Sequence, residues 1–193
     1  MKELARRYFS DLGRFMAEIE VTEESGAKFD LAEGIEAAAL LCRETGTRGG
    51  KLMFIGNGAS AAISSHMSAD FWKNGGIRAV AFNDSSGLTC VGNDFGYVHV
   101  FEKPVEMFED KGDVLVAISS SGASENILRA AEMAKAKGCG IMTLSGFKPD
   151  NPLRGLGRLN FYVPARDYGP VEVLHHGLCH CILDVILRGP GRP

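Results

Sequence analysis

Two segments of the chain are written in nearly the same letters. Residues 51–60 run KLMFIGNGAS and residues 113–124 run DVLVAISSSGAS. Each is a short apolar run that ends in small polar residues and passes through Gly-Ala-Ser into a helical pattern. That is a strand delivering a tight loop to a helix N-terminus, where unpaired backbone N–H groups and the positive end of the helix dipole attract anions. The second loop adds four hydroxyls, those of Ser119, Ser120, Ser121 and Ser124, which can donate to phosphate oxygens. No lysine follows its glycine and neither loop carries G-x-G-x-x-G, so loops of the nucleotide-triphosphate and dinucleotide types are not matched. The ligand class that fits is a small phosphorylated metabolite held by neutral donors.

Around these loops, apolar runs at 52–55, 79–82, 114–118, 140–144 and 159–163 alternate with helical patterns at 59–74, 98–109, 124–137 and 168–187. Such alternation implies right-handed βαβ crossovers and a parallel sheet covered on both faces. The expected fold is α/β: a three-layer, doubly wound, five-stranded parallel sheet of flavodoxin-like order, with ligands at the carboxyl ends of the strands where the order switches. Both Gly-Ala-Ser loops fall at that end, so their likeness follows from repeated βα geometry rather than from tandem domains. At 193 residues the chain is expected to be a single domain, 1–193, with a helical arm over 1–48 and an α/β core over 51–187. In the arm, Leu4, Tyr8, Leu12, Phe15, Met16 and Ile19 recur at helical spacing, and a second helix over about 30–42 carries Leu31, Ile35, Ala38, Ala39 and Cys42 on one face. Packing on a partner subunit and packing on its own domain are both open for this arm. The closing GPGRP, residues 189–193, is expected to fray.

A net charge of -3 and scattered basic residues give no nucleic-acid surface. No apolar stretch reaches membrane-spanning length and residues 1–20 carry charges throughout, against a signal peptide, so a cytoplasmic protein is expected. The five cysteines form no C-x-x-C pair, and Cys179 and Cys181 face different ways on any helix. Buried reduced thiols are expected.

Three groups of residues could carry chemistry. His66 and Asp70 are four apart on the helix after the first loop, and so share a face. Glu172, His176 and His180 share a face of the last helix at four-residue steps, with His175 just off it. Asn93-Asp94 lies in CVGNDFGY, after the second strand. A histidine and a carboxylate at i,i+4 can bind a metal or shuttle protons; taken singly, each group also fits a surface pair, a structural histidine, or a cap. Trp72 points away from Asp70 and suits packing or a subunit contact, and Lys73 suits a solvated position.

Taken together, GNGAS followed by H-x-x-x-D, then VGNDFG, then ISSSGAS, then E-x-x-H-x-x-x-x-H on a final helix resembles the SIS (sugar isomerase) domain family, and within it the phosphoheptose isomerases. The resemblance runs from about residue 51 to 186, and the two leading helices match the family's N-terminal arms. It implies aldose–ketose isomerisation of sedoheptulose 7-phosphate to glycero-manno-heptose 7-phosphate through an enediolate. It places phosphate on Ser119, Ser120, Ser121 and Ser124 with help from Ser60, and sugar hydroxyls on Asn57 and Asp94. His180 matches the catalytic histidine. Asp70 stands where the family usually has Glu as base, Glu172 where it usually has Gln, and the family's Asp before the last helix is absent, with Gly169 near its place. Some members bind zinc; the matching positions are His66, Asp70, Glu172 and His180. A homotetramer with sites at subunit interfaces is implied as well.

The departures have physical content. Asp is one methylene shorter than Glu, and misplacement of a base by about 1 Å can cost roughly a hundredfold in rate. Glu for Gln adds a negative charge that would repel Asp70 unless a cation or a proton intervenes. Two carboxylates and two imidazoles suit Zn²⁺. In the expected reaction Glu172 or Asp70 removes the proton while His180, or a bound metal, polarises the carbonyl. An isomerase or epimerase of another phosphosugar, a non-catalytic SIS module like the protein that associates with the replication initiator, and a sugar-phosphate sensor are the alternative readings.

Overall fold

The two strands written alike lie side by side at the centre of the sheet. In the computed structural model, which describes residues 1–189, β3 (Leu52–Gly56) and β5 (Val114–Ser119) pair in parallel, Leu52 opposite Val114 and Gly56 opposite Ile118. Both are buried along their whole length, as strands covered on two faces must be. On one side of them come β6 (Gly140–Ser145) and β7 (Leu159–Tyr162), on the other β4 (Ala79–Ala81), all parallel. The five expected strands are therefore present, in the doubly wound order expected of them.

The sheet itself has seven strands and is mixed, which corrects the five-stranded parallel expectation. β1 (Glu20–Glu23) pairs antiparallel with β7, and β2 (Lys28–Phe29) pairs antiparallel with β1. Strands this short display no alternation to read. Their turn contains Gly26 at φ +85°, a left-handed conformation that glycine adopts freely. The Glu20 carboxylate accepts from Lys28 and Arg154, both at 3.0 Å, and so ties the hairpin to the segment between β6 and β7.

Alternation within the strands divides the core in two. Phe54, Val116 and Leu144 point to one face, where α2 (Leu31–Thr47), α3 (Ala59–Lys73) and α7 (Tyr168–Arg188) cover them; Phe71, Met67, Leu178 and Ile182 come from those helices. Met53, Ile55, Leu115 and Ala117 point to the other face, under α5 (Glu102–Phe108) and α6 (Glu125–Ala136). α2 starts at a reciprocal cap: Asp30 accepts from the Glu33 N–H and Glu33 accepts from the Asp30 N–H. It packs on α7 of its own domain. α1 (Lys2–Ala17) buries none of its residues, and its Leu4, Phe9 and Met16 are exposed.

Three further expectations change. The helix expected over 98–109 is a 3₁₀ turn at Tyr97–His99 followed by α5. The segment before it, to which the sequence pattern assigns no element, forms α4 (Ser85–Asp94), capped by the Asp84 side chain accepting from the Gly87 N–H. α7, at 21 residues, is long and apolar enough to cross a membrane by length and composition; half of that stretch is buried here as a core helix. Among the cysteines, Cys42, Cys139 and Cys179 are buried and Cys90 and Cys181 exposed, all free. Burial pushes the Cys42 and Cys179 thiols up to about 12, which keeps them protonated and unreactive. Residues 190–193, most of the segment expected to fray, lie outside the described residues.

Candidate active site

The turn leaving β3 is tight enough to demand glycine: a Cβ at Gly56 would lie 2.6 Å from the Ser60 carbonyl oxygen. Gly58, at φ +55°, then opens α3. The turn leaving β5 has the same character. Gly122, at φ +61°, donates its N–H to the Ser119 carbonyl (3.0 Å) and to the Ser119 hydroxyl (3.2 Å), and the Ala123 N–H donates to the Ser121 hydroxyl (3.3 Å). Between the two turns lies a pocket of about 110 Å³ lined by Asn57, Ser60, Ser119, Ser120, Ser121, Ser124, Tyr168 and Glu172. The Ser120 hydroxyl is buried there without a hydrogen-bond partner. An orphan donor in a polar pocket at two helix N-termini is the signature of a site built for an anion.

Asn57 is held in a reciprocal pair with Asn126, each amide donating to the other at 3.0 Å, and its oxygen also accepts from the Tyr97 hydroxyl at 3.1 Å. Tyr168 is braced by Phe147, whose ring meets it edge-on at 5.0 Å. Phe147 sits at φ +60°, a strained backbone of the kind that collects around working sites. Asp94 is not brought into this wall. It stands at the exposed end of α4, accepting from Asn93 at 2.8 Å, three residues before the tyrosine that reaches Asn57.

One turn along α7 from Glu172, a second cluster begins. His176 and His180 of α7 face His66 of α3, and a donor atom of each lies within 4.8 Å of the others. Ring centroids are 4.6 Å apart for His176 and His180, 5.2 Å for His66 and His176, and 5.5 Å for His66 and His180. Asp70 Oδ2 stands 3.3 Å from His66 Nε2, and the other Asp70 oxygen accepts from Asn74 at 3.2 Å. Of the four residues expected to gather round a metal, His66 and His180 do so, Asp70 attaches behind His66, and Glu172 lies on the serine pocket instead. The eight steps from 172 to 180 rise about 12 Å along the helix, which is why one face of α7 serves two places. His176 stands in the cluster in its stead. Burial, and then the neighbouring imidazoles, hold His176 below the usual histidine pKa, which favours the neutral ring. Three imidazoles at this spacing fit Zn²⁺ or another divalent cation.

The SIS domain family pattern matches residues 7–146. The phosphoheptose isomerase of Vibrio cholerae is 39% identical over 158 residues, 79% of this chain and 82% of the relative, and that of Helicobacter hepaticus is 35% identical over 164 residues, 82% and 83%. The chain belongs to the SIS domain family. Solved structures agree. Phosphoheptose isomerase from Neisseria gonorrhoeae superposes with a TM-score of 0.85 at 30% identity, covering 96% of this chain and 97% of that one, and the Francisella tularensis enzyme gives 0.83 at 27% over the same shares.

Within this SIS domain, sequence reasoning misses Asn126, Tyr97 and Tyr168. Asn126 leaves one signal, a polar residue in the first turn of α6 with apolar Ile127 beside it; the two tyrosines leave none. Spacing puts His176 on a face with His180 but does not mark it as a donor. His175, just off that face, is fully buried, and its Nε2–H donates to the Ser145 carbonyl at 3.1 Å. Burial pushes its pKa down to about 4. The folded state thus binds this proton less readily than the unfolded chain, whose histidine titrates near 6.5. The stabilising effect of a neutral His175 is complete above about pH 6.5 and is lost as the pH falls toward 4. Urea unfolding of the metal-free protein is expected to show His175→Gln losing less stability than the parent between pH 7.5 and 4.5, by about 2–3 kcal/mol. Parallel acid profiles would contradict this.

Proposed function

We propose that this protein is an aldose–ketose isomerase that interconverts sedoheptulose 7-phosphate and glycero-manno-heptose 7-phosphate through a cis-enediolate. The observation that carries the reading is the serine pocket, in which an unpartnered buried hydroxyl and a carboxylate share one wall. The serines hold the phosphate far from the reacting carbons, and that binding energy orients the sugar chain. Asn57 is assigned to sugar hydroxyls; Asp94, outside the pocket wall, is not. Glu172 takes the proton from the carbon next to the carbonyl and returns it to the neighbouring carbon. Asp70 suits the base role less well, because His66 and Asn74 already engage its two oxygens. Without a cation His180 donates toward the carbonyl oxygen as negative charge develops there and serves the hydroxyl proton that changes oxygens; as a ligand it would give up that role. A divalent cation, Zn²⁺ by the donor chemistry, would be held by His66 and His180 and would supply Lewis-acid stabilisation of the enediolate oxygens. The reading extends to a homotetramer in the cytoplasm; the exposed apolar side chains of α1 support association of copies.

The test is turnover of sedoheptulose 7-phosphate by the purified protein, before and after chelation. Heptose 7-phosphate formation supports the isomerase; sugar-phosphate binding without turnover makes the chain a non-catalytic SIS module. Ser120→Ala should raise KM about tenfold or more, the cost of one hydrogen bond to a charged group, and leave kcat nearly unchanged. An unaltered KM would remove Ser120 from the phosphate site.

A further inference from the structure

We propose that the cation site of this protein is a three-histidine centre of His66, His176 and His180, with Asp70 as the carboxylate behind His66 and Glu172 outside the coordination shell. The grounds are geometric. His176 and His180 are one turn apart on α7 and present their rings 4.6 Å apart, while His66 approaches both edge-on from α3, at 86° and 63°. One donor atom from each lies within 4.8 Å of the other two, so a single ion can sit among them. His176 Nε2 is a buried polar atom with no partner, and a cation gives it one. Asp70 at 3.3 Å from His66 Nε2 supplies the carboxylate that commonly orients a ligating imidazole. Glu172 lines the serine pocket and does not belong to the cluster of donor atoms.

Two consequences follow from the ligand set. Three protein ligands leave a tetrahedral ion one open position, as zinc sites that act on substrates do. Neutral imidazoles also leave the ion's double charge unneutralised by its ligands. Glu172 then remains a free carboxylate, available for proton transfer. The inference deepens the site reading above and rests on it for its location, yet its readout is metal binding and not turnover.

The experiment is Zn²⁺ and Co²⁺ binding to the metal-free full-length protein, by metal content after desalting and by competition with a chromophoric chelator. His176→Ala should weaken binding by more than about a hundredfold and Asp70→Asn by roughly 10–100-fold, the range for loss of an orienting partner. Glu172→Gln should bind as the parent does. Thermal unfolding of each variant checks folding, and zinc-edge X-ray absorption of the parent protein needs no variant: it should count three imidazoles. Metal lost from Glu172→Gln and kept by His176→Ala, two imidazoles with a carboxylate, or no binding by the parent would each overturn the proposal. Isomerase activity is assayed separately, so turnover without a cation would overturn the centre and leave the functional reading in place.

Discussion

His180→Ala is expected to lower kcat for sedoheptulose 7-phosphate isomerisation by about 10²–10⁴-fold, the range for loss of a positioned acid–base group. KM should change far less, because the proposed phosphate grip resides in the turn after β5, which the substitution does not touch. Stability should hold as well: His180 is exposed at the surface of α7 and belongs to neither core cluster. The split between kcat and KM separates this role from a structural one. Parent-like kcat in a folded His180→Ala protein would take His180 out of the mechanism. Steady-state kinetics with a coupled heptose 7-phosphate assay, run with and without added zinc, decides it.

The second large effect is expected at Gly122. A Cβ there would stand 1.9 Å from Asn151 Oδ1 and 2.3 Å from its Cγ, in a backbone already at φ +61°. Asn151 cannot yield cheaply. It is 5% exposed; its amide donates to the Ser145 hydroxyl and to the Gly146 and Lys148 carbonyls, its oxygen accepts from the Arg154 N–H, and the nearby Leu153 N–H donates to the Gly122 carbonyl. Gly122→Ala must therefore expel a buried amide from its partners and strain the turn. The expected loss is about 3–5 kcal/mol, or a fall in Tm of roughly 6–20 °C for a domain of this size. Phosphate affinity should fall with it, because Ser119 and Ser121 hydrogen-bond to the turn's own N–H groups. Gly13 is the control: it lies in α1, a Cβ there would meet nothing within 4 Å, and Gly13→Ala should be neutral or slightly stabilising. Calorimetry of the two variants checks both, and a parent-like Tm and KM for Gly122→Ala would contradict the argument.

The parallel core is legible in the sequence because its signal is strong and local: continuous apolar runs such as 114–118 bounded by Gly, Ser and Asn. The serine-lined turn after β5 is legible for the same reason, a strand, a turn and a helix written in adjacent letters. α4 is not, since SSGLTCVGND carries two glycines, lacks an apolar stripe and buries no residue; the Asp84 cap is its one readable mark. The β1–β2 hairpin escapes because it exists only by pairing with β7, more than a hundred residues away in the chain. The histidine cluster is half legible. Four-residue spacing puts His176 and His180 on one face, but which partner across the crevice each meets depends on how α3 and α7 pack, and that packing assigns Glu172 to one site and His176 to the other. Family resemblance alone pairs them differently.

The short strands at the two borders of the sheet bear on how copies of this chain can meet. One border ends at β4, three residues long, and the other at β2, two residues long and held beside the Lys28–Glu20 ion pair. Neither exposes a run of unpaired backbone long enough to template a foreign strand, so the route to edge-to-edge aggregation is closed at both ends. Association is thereby left to helical surfaces, and the solvent-facing Leu4, Phe9 and Met16 of α1 mark one place where such contact would take oil out of water.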